Sequence, residues 1–261
     1  MSSDPNAAWR VRIAFVSLFI VFAAGLYFLA DLRKLQEGMA AHERQTALQA
    51  AADPQRIDDA LRQHPQNRLL QLVAMATKTT EDTDAAIDKL SNDIVPSGVA
   101  KPINLGTASR DDLEALRRDL KTAEANATTA LPRYAALLKA ERDTIEPYAR
   151  AHGDRDAVGR LLGSLDKRHA DITALVSRLL PARADYYRAY DNYVAVLVKE
   201  FGTYKIDNGQ FVFPFQLAVN RYNAAAQAMT AAAARVGDLE RDRKSLLTSQ
   251  QERWAQLVSG K

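Results

Sequence analysis

The fold class is decided by residues 154–199, which read DRDAVGRLLGSLDKRHADITALVSRLLPARADYYRAYDNYVAVLVK. Apolar side chains recur there at spacings of three and four, which is the period of an amphipathic helix. In the first half these positions are Val158, Leu161, Leu162, Leu165, Ile172, Leu175, Val176 and Leu179. Pro181 predicts an interruption, because proline lacks the N–H that an internal helix position donates. The stretch therefore predicts two long helices and an all-α protein.

On the C-terminal side, one segment has the sequence of a β-hairpin. Tyr-Lys-Ile at 204–206 and Gln-Phe-Val-Phe at 210–213 flank an Asn-Gly pair, which is the strongest short signal for a two-residue turn. We predict a hairpin at 204–213, with Phe211, Phe213 and Pro214 as its core. Pro214 is expected to start a last helix that reaches about residue 258.

On the N-terminal side, further apolar stripes predict helices separated by short breaks. His64–Pro65 ends one short helix, and a longer one follows that either continues or restarts at Thr80. Residues 96–108 form a loop with two prolines and two glycines. Ser109 and Asp112 then resemble a capping box that begins the next helix. Pro147 is expected to kink or break the helix that ends near His152.

Residues 13–30 are eighteen consecutive residues without a charge. As a helix they would span ~27 Å, about the thickness of the hydrocarbon core of a bilayer. A cleaved signal peptide is the alternative, but its apolar region usually has only about 7–15 residues. We predict a transmembrane helix at 13–30 that binds the lipid bilayer, followed by a juxtamembrane helix at 31–52.

The short tail at 1–12 carries Arg10 and Arg12, and such a tail is most simply left in the cytoplasm. Residues 53–261 then form a helical periplasmic domain. The predicted fold is an N-terminal transmembrane helix followed by a bundle of long antiparallel helices with one small β-hairpin. The predicted location is a bacterial inner membrane, crossed once.

Composition excludes several kinds of chemistry. The chain has 35 Lys+Arg against 32 Asp+Glu, and a net charge of +3 gives no reason to expect a nucleic-acid partner. It has no Cys, which removes disulfides, thiolate metal sites and cysteine nucleophiles. The four His are scattered, and His169 falls between Leu165 and Ile172 as a core or boundary residue would. No catalytic motif, metal site or cofactor site is predicted.

A tyrosine stripe is the feature that most suggests binding. Tyr186, Tyr190 and Tyr193 are spaced by four and three residues, which places them on one helix face with Tyr187 beside them. Such rings could line a ligand cleft, since each combines apolar area with a hydroxyl group. The alternative is a core stripe whose hydroxyl groups reach the rim.

The segment Asn208-Gly-Gln-Phe-Val-Phe-Pro214, followed after six residues by Arg221-Tyr-Asn223, resembles an uncharacterised family of Gram-negative envelope lipoproteins. The resemblance is best over residues 204–223. It implies a helical fold and a location in the cell envelope, and it implies no reaction. Those proteins attach through a lipidated Cys, so a transmembrane helix would replace the lipid in this chain.

The sequence predicts a non-catalytic, membrane-anchored envelope protein. It would act as a scaffold or accessory subunit through helix–helix contacts, with a protein partner or as a homo-oligomer. The alternative is a periplasmic sensory or ligand-binding helical bundle that signals through a partner. In that case Tyr186, Tyr190 and Tyr193 would be the residues that bind the ligand.

Overall fold

The computed structural model describes residues 57–101, 103–152 and 155–258, and this part of the chain is mostly helical with one two-stranded antiparallel sheet. The elements in chain order are α1 (Ile57–Gln63), α2 (Arg68–Asp93), α3 (Ser97–Ala100), α4 (Arg110–Thr129), α5 (Leu131–His152), α6 (Arg155–Lys199), β1 (Lys205–Asp207), β2 (Gln210–Val212) and α7 (Gln216–Val258). The expected all-α class with one hairpin is thus confirmed. The predicted tail, transmembrane helix and juxtamembrane helix at 1–52 lie outside the described residues.

Hydrogen bonds with neighbouring side chains cap the first turn of two of the long helices. The Asn67 side chain accepts a hydrogen bond from the Leu70 N–H at 3.0 Å, which satisfies one of the free donors in the first turn of α2. Ser109 and Asp112 form the predicted capping box at the start of α4, with reciprocal side-chain and backbone bonds. Helix α2 continues through Thr80 without a restart.

The expectation that Pro181 interrupts its helix is wrong, because α6 runs unbroken through it for 45 residues. Pro147 likewise lies inside α5 without ending that helix. Proline removes one backbone hydrogen bond, but buried residues on both sides of Pro181, such as Leu180 and Ala182, hold the helix by packing. Tertiary burial outweighs the local preference here.

The hairpin forms where it was predicted. β1 pairs antiparallel with β2, and Ile206 lies opposite Phe211. Asn208 and Gly209 both have positive φ, 49° and 76°, as a two-residue turn of type I′ requires. The Asn-Gly pair is therefore the local cause of the hairpin.

The described residues belong to two compact units. The first takes 57–89, 134–152, 155–173 and 243–258, and the second takes 90–101, 103–133 and 174–242. In the first unit, α2 residues Leu72 and Ala76 share a core with α5 and α6. Gln71 bonds Tyr148 and Thr80 bonds Glu141, so these parts of α2 and α5 run antiparallel.

In the second unit, ion pairs join α4 to α6. Arg117 Nε lies 2.7 Å from Asp191 Oδ1, and Arg188 Nε lies 2.7 Å from Glu124 Oε1, so the two segments run antiparallel. The apolar stripe on α4, from Leu113 through Leu116 to Leu120, is buried. None of the helices within the described ranges has a stretch long and apolar enough to cross a membrane.

Candidate functional site

A continuous series of aromatic rings runs through the second unit. The predicted tyrosine stripe is part of it, with ring centroids 6.0 Å apart for Tyr186 and Tyr190 and 6.5 Å apart for Tyr190 and Tyr193. The series continues from Tyr193 to Tyr222 on α7 at 5.3 Å. We call the whole set the aromatic series, and its members are Tyr186, Tyr187, Tyr190, Tyr193, Phe201, Tyr204, Phe211, Phe213 and Tyr222.

Tyr193 has a structural contact that occupies its hydroxyl group. Its side chain is buried, and its hydroxyl oxygen lies 3.0 Å from that of Tyr222. Burial, with the hydrogen bond to Tyr222, raises the pKa of Tyr193 far above its usual value. The bond joins α6 to α7, so Tyr193 belongs to the packing of the unit and is the stripe residue least suited to bind a ligand.

Tyr186 and Tyr190 differ from Tyr193 in being only partly buried. Among the described residues, neither hydroxyl group has a hydrogen-bond partner, whereas Tyr193 has one. Burial raises the pKa of both tyrosines, so both stay neutral and keep a hydroxyl proton to donate. Of the predicted ligand-binding residues, these two remain candidates.

The predicted core residues of the hairpin have three different environments. Phe213 is buried, and its ring lies 5.1 Å from that of Tyr222. Phe211 is half-buried and lies 5.1 Å from Tyr204. Pro214 is exposed, so it is not part of a core, and α7 starts two residues after it.

Large apolar side chains are exposed around the hairpin. Phe215 is 65% and Leu217 is 60% exposed at the start of α7, and Phe201, Ile206 and Val212 are exposed to lesser degrees. We call these five residues the hairpin-end surface. Among the residues whose side chains the structure describes, which excludes 246–258, the exposed large apolar ones all lie between 201 and 217. Ile206 lies opposite Phe211 and Val212 lies opposite Lys205, so Ile206 and Val212 are on opposite faces of the hairpin, and the name denotes residues that are neighbours in the sequence. Several exposed large apolar residues in one short segment make it a candidate interaction site.

The first unit contains a buried group of charged side chains that the sequence analysis missed. Glu141 on α5 is 1% exposed and accepts hydrogen bonds from three side chains. Arg168 on α6 bonds Glu141 at 2.8 and 2.9 Å and Asp84 on α2 at 3.1 Å. We call Thr80, Asp84, Glu141, Arg168 and His169 the buried ionic network.

The pKa values of the two carboxyl groups of the network are shifted in opposite directions. Burial raises the pKa of Asp84 to about 7. The positive charge of Arg168 acts in the opposite direction, and repulsion from Glu141, Asp88 and Glu81 raises the pKa further. Burial would also raise the pKa of Glu141, but the hydrogen bond from His169, the charge of Arg168 and the bond from Thr80 together lower it. Glu141 is therefore ionised at neutral pH, whereas Asp84 is mostly protonated at pH values below about 7.

The sequence did contain a signal for this network. Glu141 lies three residues after buried Leu138 and four before buried Ile145, so it occupies a core position of its stripe. Arg168 likewise lies three residues after Leu165 and four before Ile172. His169 is partly buried and bonds Glu141, in agreement with the boundary position expected for it.

Comparison with known proteins gives no assignment, since no protein-family model, no curated protein and no solved structure matches this chain. The resemblance over residues 204–223 to an envelope family therefore stays a prediction. Within the described residues, no group of His, Asp or Glu could hold a metal ion.

Proposed function

We propose that this protein is a non-catalytic scaffold or accessory subunit of the bacterial cell envelope. It is anchored in the inner membrane by a transmembrane helix at 13–30, and its helical domain lies in the periplasm. The hairpin-end surface binds a protein partner. The observation that carries this proposal is the exposure of five large apolar side chains within one short segment.

The size of these side chains supports a binding role. A fully buried Phe or Leu contributes about 1.5–3 kcal/mol relative to an exposed one, so leaving Phe215 and Leu217 in water forgoes a gain that a partner would restore. Unlike these exposed apolar residues, many charged side chains already have partners within their own unit. Long-range ion pairs such as Arg117–Asp191 and the buried ionic network bind helix to helix within each unit.

The test uses the full-length chain, purified from its native membrane in mild detergent. A companion protein should copurify in stoichiometric amount with the wild type and be lost from the double variant Phe215→Ser/Leu217→Ser. Ala234→Ser is the matched control, because Ala234 is also exposed on α7 but lies outside the hairpin-end surface. A companion that stays with the double variant would place the binding surface elsewhere and refute this assignment.

A sensory or ligand-binding bundle that signals through a partner is the second candidate. The observation that favours it is the pair of partly buried tyrosines, Tyr186 and Tyr190, whose hydroxyl groups have no partner among the described residues. A ligand that binds only the folded state stabilises it by about 2.7 kcal/mol at a hundredfold excess over its dissociation constant.

Thermal unfolding with a panel of small metabolites tests the second candidate. A ligand should raise the midpoint for the wild type and for Tyr148→Ala, which removes a partly buried tyrosine from the other unit. It should have no effect on Tyr186→Ala/Tyr190→Ala. The absence of any stabilising compound in the panel would count against a tyrosine-lined site. So would a compound that stabilises the double variant as much as the wild type.

A further inference from the structure

The buried ionic network contains more acidic than basic groups. Asp84 and Glu141 are 3% and 1% exposed, and one guanidinium, that of Arg168, lies between them. A buried charge without a partner is strongly unfavourable, and one Arg cannot neutralise two carboxylates. Two carboxylates and one guanidinium leave one surplus negative charge unless a proton binds to the network.

The hydrogen bonds show which carboxyl group takes that proton. Both oxygens of Glu141 are occupied: Oε1 accepts from Thr80 and Arg168, and Oε2 accepts from Arg168 and His169. Asp84 uses only Oδ1, which accepts from Arg168, and its buried Oδ2 has no hydrogen-bond partner among the described residues. Asp84 is therefore the group with a vacant oxygen.

The charges that face Asp84 come from all three packed segments. Arg168 on α6 attracts its carboxylate form, whereas Glu141 on α5 repels it. Asp88 and Glu81, one turn away on either side along α2, repel it as well. Three acidic groups against one guanidinium favour the neutral acid.

We propose that the first unit binds one proton at Asp84 in its folded state and that loss of this proton as the pH rises loosens the packing of α2 against α5 and α6. The network is thus a pH-sensitive element within the first unit. This inference does not rest on the proposed function, since it concerns residues outside the hairpin-end surface. It would hold equally for a scaffold or for a sensor.

The direction of the effect follows from the shift at Asp84. Its pKa is raised from 3.8 to about 7, so between these values the folded state holds a proton that the unfolded state has released. Stability from this group is fully present below 3.8 and is lost as the pH rises through about 7. The folding equilibrium constant should fall by up to about tenfold per pH unit in this window. Glu141 acts oppositely, since its lowered pKa gives stability that is lost only at acid pH.

Hydrogen exchange of the full-length protein in detergent tests the proposal. The opening constant of residues 134–152 and 155–173, corrected for intrinsic exchange, should rise by up to about a hundredfold from pH ~5 to ~7. In Asp84→Asn, which resembles the neutral acid in shape, it should stay nearly constant. Asp82→Asn is the matched control, because Asp82 is an exposed acid on the same helix, and it should behave as the wild type.

An infrared measurement on the same samples gives a second readout, and its wild-type spectrum alone can refute the proposal. At pH ~6 the wild type should show the C=O stretch of a buried carboxylic acid, and Asp84→Asn should lack it. The proposal is overturned if opening in the wild type does not change with pH, if Asp84→Asn keeps the same slope, or if the carboxylic acid band is absent from the wild type.

Discussion

Arg168 is the residue on which the buried ionic network depends, because it bonds acidic groups from two other helices. Its guanidinium donates to Glu141 through Nη1 and to Asp84 through Nη2, and its side chain is 6% exposed. A planar guanidinium suits this role, since its donors are fixed in a fork that matches carboxylate oxygens. Lys could offer only one ammonium group at a single point.

Replacing this cation should cost much more stability than replacing an exposed one. Arg168→Met removes the cation beside buried Glu141, which then keeps only its hydrogen bonds to Thr80 and His169, and we expect a loss of about 3–5 kcal/mol in the free energy of unfolding by urea. Arg150→Met is the control, because Arg150 is largely exposed and pairs with Glu146 within one helix; it should cost less than about 1 kcal/mol. Equal losses for the two variants would contradict the central role of Arg168.

The bond between Tyr193 and Tyr222 predicts coupling between α6 and α7. Tyr193→Phe and Tyr222→Phe each remove one hydroxyl group, and a double-mutant cycle should give a coupling of about 0.5–1.5 kcal/mol. The same cycle with Tyr190→Phe in place of Tyr193→Phe should give a value near zero. Coupling as large for Tyr190 would show that its hydroxyl also contacts Tyr222 in solution.

At the scale of the element, helix caps and the hairpin were predictable, whereas helix continuity was not. The capping box at Ser109 and the Asn208–Gly209 turn each form within a segment of four residues, so the local sequence alone specifies them. Continuity through Pro181 depends on burial by distant parts of the chain. The buried ionic network has the same origin, since Asp84 and Arg168 are 84 residues apart. The spacing of Glu141 indicated a core position, but it could not indicate the partner.

Pro181 gives a test of this balance between packing and backbone bonding. It is exposed inside α6, so Pro181→Ala restores a backbone donor without removing buried area. We expect stabilisation by about 1–3 kcal/mol in urea unfolding, after allowing for the greater entropy of the unfolded chain. Pro132→Ala is the matched control: Pro132 is exposed in the first turn of α5, where the missing N–H costs nothing, and that variant should be neutral or slightly less stable. Stabilisation in both would point to another cause.

At the scale of the whole molecule, the three candidate features are divided between the two units. The buried ionic network lies in the first unit, and the aromatic series and the hairpin-end surface lie in the second. Helix α6 supplies Arg168 to one and Tyr186 to the other. Fold alone does not define a function for such a helical protein, so the binding proposal rests on the hairpin-end surface and the pH proposal on Asp84.

The proposed topology can be tested directly because the chain has no Cys, so that one introduced thiol is the only thiol present. In spheroplasts, a membrane-impermeant maleimide should label Lys205→Cys, which lies on the exposed hairpin, and should label Ser3→Cys only after lysis. This follows if the uncharged residues 13–30 cross the membrane and the Arg-bearing tail stays inside. Labelling of Ser3→Cys alone in intact spheroplasts would reverse the orientation. Protection of both positions until lysis would place the domain on the cytoplasmic side, and the partner should then be sought there.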